Sequence, residues 1–218
     1  MNTNNYFRGL LVENPPPPLE QALSEEAKYL KNTIPETAEI LDIGCWDGRI
    51  ISYIYQQKPQ TKIKGIDNDV QAVLSATEKF KDNPNISITQ AEANKLPFED
   101  NTFDTITCMD IFHNLGTEQQ AILAEMKRVV KVWGKIIITT YSEDAVEEKR
   151  NMYTSIALRY EEQDDWTFFF PDIQGSGNLS AQYTSTQLYD RFSSAGFEVE
   201  NLEKKGIIYL CTLCTLWS

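Results

Sequence analysis

The sequence predicts an α/β fold: a mostly parallel sheet covered by helices on both faces and finished by an antiparallel hairpin. From residue 39 to 141, short strand-like runs alternate with helical stripes, as in a parallel sheet with crossover helices. At the end, two strand-like runs (197–203 and 207–216) are joined by Lys204-Lys205-Gly206, a link short enough to make them antiparallel. The 218 residues, 41% of them hydrophobic, suit one such domain with a sizeable core.

The elements follow in order. Pro15 to Pro18 form a stiff lead-in, and proline suits a first helical turn. Leu19, Leu23, Ala27, Leu30 and Ile34 then make one apolar stripe at helical spacing. A buried strand over 39–44 is followed by a helix from about 47 to 57. The second strand is 62–67, and Asp69 caps a helix running to about Phe80. Strands follow at 86–90 and 103–109. Thr117-Glu118-Gln119-Gln120 has the pattern of a capping box, opening a helix whose Ile122, Met126, Val129 and Val130 share a face. The fifth strand is 135–141. After a long insertion, 185–195 is a helix closed by Gly196 as its left-handed cap, and the hairpin follows. The chain divides into an N-terminal helical cap (1–38), a ligand-binding core (39–141), a lid or insertion (142–184), and a final helix with hairpin (185–218) that completes the single domain.

Charge and composition narrow the partners. With 32 acids against 20 bases the net charge is −12, which disfavours a phosphate backbone and an anionic membrane surface alike. The longest apolar-leaning stretch, 206–217, is well short of the roughly 20 residues of a membrane span. The first residues lack the profile of a signal peptide, and the four cysteines show no disulfide-scaffold density, so a cytoplasmic location is expected. Cys211 and Cys214 resemble half a zinc site, but residues three apart on a strand point to opposite faces, so no metal is expected there.

In such a sheet, ligands bind at the carboxyl ends of the strands beside the first strand. The turn there reads Leu41-Asp42-Ile43-Gly44-Cys45-Trp46-Asp47-Gly48-Arg49, with Gly44 and Gly48 bracketing it. Asp67 ends the second strand, placed to accept hydrogen bonds from ribose hydroxyls. A dinucleotide site needs a glycine where Trp46 stands, so that backbone can meet the pyrophosphate. A ribose-bearing ligand without phosphates, such as S-adenosylmethionine, escapes that objection.

These residues resemble the class I S-adenosylmethionine-dependent methyltransferases. Leu41 to Gly48 is similar to the family's first motif, and Gly65-Ile66-Asp67-Asn68-Asp69 to its second. Glu92-Ala93-Asn94-Lys95-Leu96-Pro97-Phe98 is similar to the stretch that meets adenine. The run from Phe103 through Met109-Asp110 to His113-Asn114-Leu115 resembles the fourth-strand motif. Arg128 to Lys135 and Ala195-Gly196-Phe197 resemble the entries into the fifth strand and the last hairpin. The resemblance is dense over 40–141 and loose over 183–218. It implies a Rossmann-like three-layer sandwich with a seven-stranded sheet, S-adenosyl-L-methionine as cofactor, and Asp42, Gly44, Cys45, Gly48, Asp67, Asn68, Glu92, Ala93 and Met109 in the cofactor site. The chain departs from the pattern at three places. Trp46 replaces the middle glycine, either packing under the N-terminal helix or narrowing the methionine end of the site. Glu92 stands for the commoner aspartate, and Val132-Trp133 for Pro-Gly.

His113, the only histidine, is the candidate general base, or else a helix-start residue bonded to backbone. Asp110 is placed to position a substrate donor. Residues 142–165 hold eight acids and three bases, and aromatics interleave from 153 to 183. That segment is either a solvated acidic helix packed on the sheet edge or a lid, with Tyr6, Tyr141, Tyr153, Trp166 and Tyr183 as candidate substrate contacts. Asn14-Pro15-Pro16-Pro17 only faintly resembles the Asn-Pro-Pro-aromatic signature of base-methylating enzymes, because its fourth position cannot stack on a flipped base. The expectation is therefore a methyltransferase acting on oxygen or nitrogen of a small molecule, with no nucleic-acid or membrane partner. Its rivals are a non-catalytic binding protein of the same fold and a nucleotide-dependent oxidoreductase.

Overall fold

The computed structural model describes residues 17–173 and 178–215, with side chains from residue 24 onward. Tyr6 and the Asn14-Pro15-Pro16 start of the proline run lie outside the described residues. Helix α1 (Pro17–Thr33) ends where Pro35 disfavours helical geometry at Ile34. It buries Leu30 and Ile34 as the stripe requires, but Ala27 is only half-buried, while Glu26 is fully buried.

The α/β rhythm follows. β1 (Glu39–Ile43), α2 (Arg49–Gln57), β2 (Lys62–Asp67), α3 (Val70–Phe80) and β3 (Ile86–Gln90) form one half. β4 (Phe103–Cys108), α4 (Gln119–Val129) and β5 (Val130–Tyr141) form the other. The Asp69 carboxylate accepts from Ala72 N–H at 2.9 Å and caps α3. At α4 the expected capping box does not form. Thr117 lies within a 3-10 turn (Gly116–Glu118), and the helix starts directly after it, at Gln119, without a side-chain cap. Gln119 instead sends its amide inward, donating to Phe112 O at 2.8 Å.

Strand order is β3-β2-β1-β4-β5-β10-β9, where β9 (Glu198–Lys205) and β10 (Ile208–Cys214) are the final hairpin. β1 pairs in parallel with β2 on one side and β4 on the other, so the sheet's direction of growth reverses there. β10 pairs antiparallel with both β5 and β9. Alternation along β5 splits the core: Ile136 and Ile138 join Phe103, Phe112, Met126 and Phe192 on one face, and Ile137 joins Leu30, Ile34, Ile51 and Met109 on the other. The arrangement is a seven-stranded, three-layer sandwich of Rossmann type, as expected. α6 (Ser185–Ser194) closes with Gly196 at φ 81°, and Phe197 N–H reaches Phe192 O.

The insertion departs from a lone acidic helix. α5 (Val146–Ser155) is followed by a small antiparallel sheet of β6 (Glu161–Asp164), β7 (Thr167–Phe169) and β8 (Leu179–Ala181). Tyr153, Phe168, Phe170 and Ile173 form its own buried cluster, while the acidic β6 is exposed throughout. The insertion leaves and rejoins the body at one place, since Tyr183 N–H donates to Tyr141 O at 3.1 Å.

Candidate active site

The first strand-to-helix turn is a tight backbone structure. Gly44 and Cys45 N–H both donate to Ile66 O, at 2.8 and 2.9 Å, and Gly48 N–H returns to Cys45 O at 2.8 Å. Residues 44, 46 and 48 all take positive φ, at 72°, 46° and 79°. A Cβ on Gly44 would lie 2.6 Å from Ile111 Cδ1, and one on Gly48 2.3 Å from Phe80 Cε2. Trp46 occupies the same left-handed region with a side chain, at a cost of about 1–2 kcal/mol. Its ring is half-buried.

Asp67 holds that turn. Oδ2 accepts from Trp46 N–H and Oδ1 from Asp69 N–H, both at 2.9 Å. A carboxylate oxygen takes two hydrogen bonds, so each keeps acceptor capacity for a ligand. Asp42, buried in β1, accepts from the Thr107 hydroxyl at 2.6 Å. Cys45 is buried beside them, and burial together with the Asp42 and Asp67 charges pushes its thiol pKa well up, so it stays protonated. Asn68 is exposed, its amide donating to Glu92 Oε2 at 3.3 Å and its carbonyl accepting from Gln90 at 3.2 Å. Glu92 is exposed and Ala93 half-buried against the core.

The loop after Ala93 is pinned by Arg128 of α4. The guanidinium donates to Phe98 O at 2.7 Å, Leu96 O at 3.0 Å and Asp100 Oδ1 at 2.9 Å, and pairs with Glu125. Glu125 closes the ring by accepting from Leu96 N–H at 2.7 Å, and the Arg128 hydrogen bond holds its carboxyl below the usual range.

These residues pass the test for S-adenosylmethionine. The glycines let the turn close against Ile111 and Phe80, and the side chains around it are acceptors, Asp67 and Glu92. Acceptors suit a ligand that donates through ribose hydroxyls and amino groups, and they repel a pyrophosphate.

A second polar group lies at the carboxyl ends of β4 and β5. Asp110 is in the left-handed region at φ 58°, its N–H donating to Thr139 Oγ1 at 3.0 Å. Its carboxylate accepts from the Tyr141 hydroxyl; burial first, then the Asp110 charge, push the Tyr141 pKa far up. His113 is buried in a 3-10 turn, its ring edge-on to Tyr141 with centroids 4.6 Å apart. Lys149 Nζ lies 3.3 Å from the centroid of the same Tyr141 ring. Tyr153, also buried, donates to Ser180 Oγ at 3.0 Å, and the Asp110 charge reaches it too.

The structure adds Glu26, a residue outside every motif in the sequence. It is 3% exposed, and Oε1 accepts from the Thr139 hydroxyl at 2.6 Å. Burial, then the Asp110 charge, push its pKa up to about 7, against the pull of Arg49 and the Thr139 hydrogen bond. One signal existed: Glu26 stands three residues after Leu23 and four before Leu30, on the apolar stripe itself.

Asp110, His113 and Tyr141 are thus brought together, with Tyr153 nearby. Tyr183 turns its ring into the opposite core cluster against Phe112, and its hydroxyl accepts from Gln119. Trp166 lies in the β6–β7 turn, 36% exposed. Met109 packs in the cluster under α1. Among the described residues, no group of three or more His, Cys, Asp or Glu side chains is disposed to hold a metal ion, and no helix is long and apolar enough to cross a membrane.

Comparison with known proteins agrees with this geometry. The sequence model of a family described as "Methyltransferase domain" matches residues 40–134. A ubiquinone/menaquinone biosynthesis C-methyltransferase of Shewanella piezotolerans is 32% identical over 121 residues, covering 53% of this chain and 47% of that protein. A demethylmenaquinone methyltransferase of Thermotoga maritima is 29% identical over 100 residues, 46% of this chain and 42% of its own length. The chain therefore spans less than half of either relative. Among solved structures, a 1,6-didemethyltoxoflavin-N1-methyltransferase of Burkholderia thailandensis, with its substrate and S-adenosylhomocysteine bound, superposes with TM-score 0.69 at 15% identity, over 99% of this chain and 85% of that one. A SAM-dependent methyltransferase of Methanosarcina mazei gives TM-score 0.68 at 18% identity, over 86% and 96%.

Proposed function

We propose that the chain is a class I S-adenosylmethionine-dependent methyltransferase, through its methyltransferase domain at residues 40–134, and that it methylates oxygen or nitrogen of a small-molecule acceptor by in-line displacement. The observation that carries the choice of acceptor is the buried cluster of Asp110, His113 and Tyr141, one strand over from the turn that Asp67 holds. Carboxylate, imidazole and phenol are groups that orient an O–H or N–H donor.

Each residue then has a task. Asp67 accepts from the ribose hydroxyls, and Glu92 from the exocyclic amine of adenine while Ala93 N–H donates to the ring. Gly44, Cys45 and Gly48 present backbone, and Asp42 orders the turn and the methionine ammonium. Asn68, bonded to Glu92, steadies the rim, and Met109 packs beneath. Asp110 and His113 position the acceptor, with Tyr141 and Tyr153 as its aromatic walls. Trp166 is assigned to the acceptor side of the insertion; Tyr183, packed against Phe112, has no part in it, and Tyr6 lies outside the described residues. When bound, the cofactor supplies the activated methyl group on a sulfonium; the protein supplies orientation, worth about 7–11 kcal/mol in effective molarity.

The named activities of the sequence relatives are C-methylations, and the toxoflavin-pathway neighbour methylates nitrogen. A pool of aqueous small metabolites incubated with the protein and methyl-labelled S-adenosylmethionine, followed by identification of the labelled product, decides between them. Label on a heteroatom is expected; label on carbon overturns the acceptor assignment. Thermal shift with S-adenosylhomocysteine against NAD(H) tests the cofactor, with stabilisation expected from the former alone. The acid-rich surface supports the expectation of no nucleic-acid partner, and a duplex-binding titration at low salt checks it.

A further inference from the structure

Glu26 Oε2 is a buried polar atom without a hydrogen-bond partner among the described residues, on the face of β5 that Thr139 and Tyr141 share. A buried carboxylate oxygen left without a partner is costly, and beside the Asp110, His113 and Tyr141 cluster it marks a place where a polar ligand is met.

Glu26 is the ionisable residue that α1 brings to that face. Its first oxygen is fixed by Thr139, whose hydroxyl can donate to Glu26 because it accepts from Asp110 N–H. This leaves Oε2 as the oxygen with capacity to act. The charged and titratable groups around it come from every neighbouring element. Arg49 comes from α2 and Asp110 from the loop after β4. Tyr141 comes from β5, carrying His113 on its edge and Lys149 on its face. Where α1 crosses the hairpin, Tyr29 hydrogen-bonds Thr212 and feels Cys211 and Glu203. The balance raises the carboxyl to about 7, burial first and Asp110 second. A base is most useful when its pKa lies near the working pH. Helix α1, which carries this carboxyl, lies outside the 40–134 domain.

We propose that Glu26 is a catalytic residue, its second carboxylate oxygen accepting a hydrogen bond from the acceptor's O–H or N–H and taking that proton as the methyl group arrives. The acceptor's lone pair forms the new bond to the methyl carbon. The carbon–sulfur bond breaks with its electron pair returning to sulfur, which becomes a neutral thioether. The proton passes to Glu26 and leaves to solvent with the product. The assignment rests on the methyltransferase reading of the site.

The experiment uses the full chain, methyl-labelled S-adenosylmethionine and the same small-metabolite pool, with S-adenosylhomocysteine affinity measured in parallel. Glu26→Gln is expected to keep that affinity within threefold and to lose at least 100-fold in labelling rate. The wild-type rate is expected to rise with pH to a limb near 7 that Glu26→Gln lacks. Thr139→Val, which removes a hydrogen bond that lowers the Glu26 pKa, moves that limb to higher pH, and it serves where Glu26→Gln fails to fold. A Glu26→Gln rate within threefold of wild type, or a wild-type limb that Thr139→Val leaves in place, overturns the proposal. A wild-type protein that binds S-adenosylhomocysteine but labels nothing overturns the small-acceptor reading and this assignment with it.

Discussion

The backbone N–H of Trp46 donates to Oδ2 of Asp67 across 2.9 Å, tying the turn after β1 to the end of β2. The bond requires the chain to swing through positive φ at residue 46 between two glycines that do the same. One carboxylate therefore shapes the loop and is also proposed to receive the ribose.

Asp67→Ala is expected to lower S-adenosylhomocysteine affinity by about 10- to 100-fold by calorimetry, the worth of a charged hydrogen bond. Asp67→Asn keeps one acceptor and should lose less. An unchanged affinity in both removes the ribose assignment.

Trp46→Gly removes the left-handed strain of about 1–2 kcal/mol and gives up the half-buried indole's contacts. Stability by denaturant titration should stay within about 1 kcal/mol of wild type, and cofactor affinity within threefold. A tenfold gain in affinity would place the indole in the ligand's path.

Gly48→Ala combines φ 79° with a Cβ placed 2.3 Å from the Phe80 ring. A loss of about 2–4 kcal/mol is expected, from backbone strain plus overpacking. Phe80→Ala in the same chain should return the packing part and leave the strain, which a double-mutant cycle separates.

Arg128→Met leaves the carbonyls of Leu96 and Phe98 and the Glu125 carboxylate without their donor. Stability should fall by about 1–3 kcal/mol. Hydrogen exchange should quicken across residues 92–100, and adenosine affinity should weaken with it. A loop as protected as in wild type would mean that Glu125 alone holds it.

Stability should also depend on pH through Glu26. Its folded pKa, about 7, exceeds the unfolded 4.5, so between those values the folded state holds a proton that the unfolded state has lost. Stability therefore falls as pH rises from 4.5 to 7 and levels off above, by up to about 3 kcal/mol from this group. Glu26→Gln should flatten that slope and be more stable than wild type at pH 8. A parallel pH profile in the variant would show that the carboxyl does not titrate there.

Much of the cofactor half was readable in the sequence because its signals are local. Asp69 caps the helix beside it, Gly44 and Gly48 bend the turn they sit in, and β2 and β3 are short runs in which isoleucines are interspersed with polar residues. Thr117 misled because a capping pattern competes with tertiary demand. Gln119 is drawn into the core toward Phe112 O and the Tyr183 hydroxyl, and the helix begins after it is placed. The strands of the insertion were hidden by composition, since Glu161 to Asp164 are all charged or amide residues and pair only because Phe168 and Phe170 bury beneath them.

By itself the sequence determined the α/β class and the acceptor-lined turn, since periodicity, glycine and strand-end carboxylates act within a few residues of themselves, while the order of the strands is a pairing across the whole fold. The tertiary structure alone decided the other half of the site. Glu26 meets Thr139 from 113 positions away, and Lys149 covers Tyr141 from a different layer. Burial and neighbouring charge set how a carboxyl titrates, and both are properties of what the folded chain packs around it.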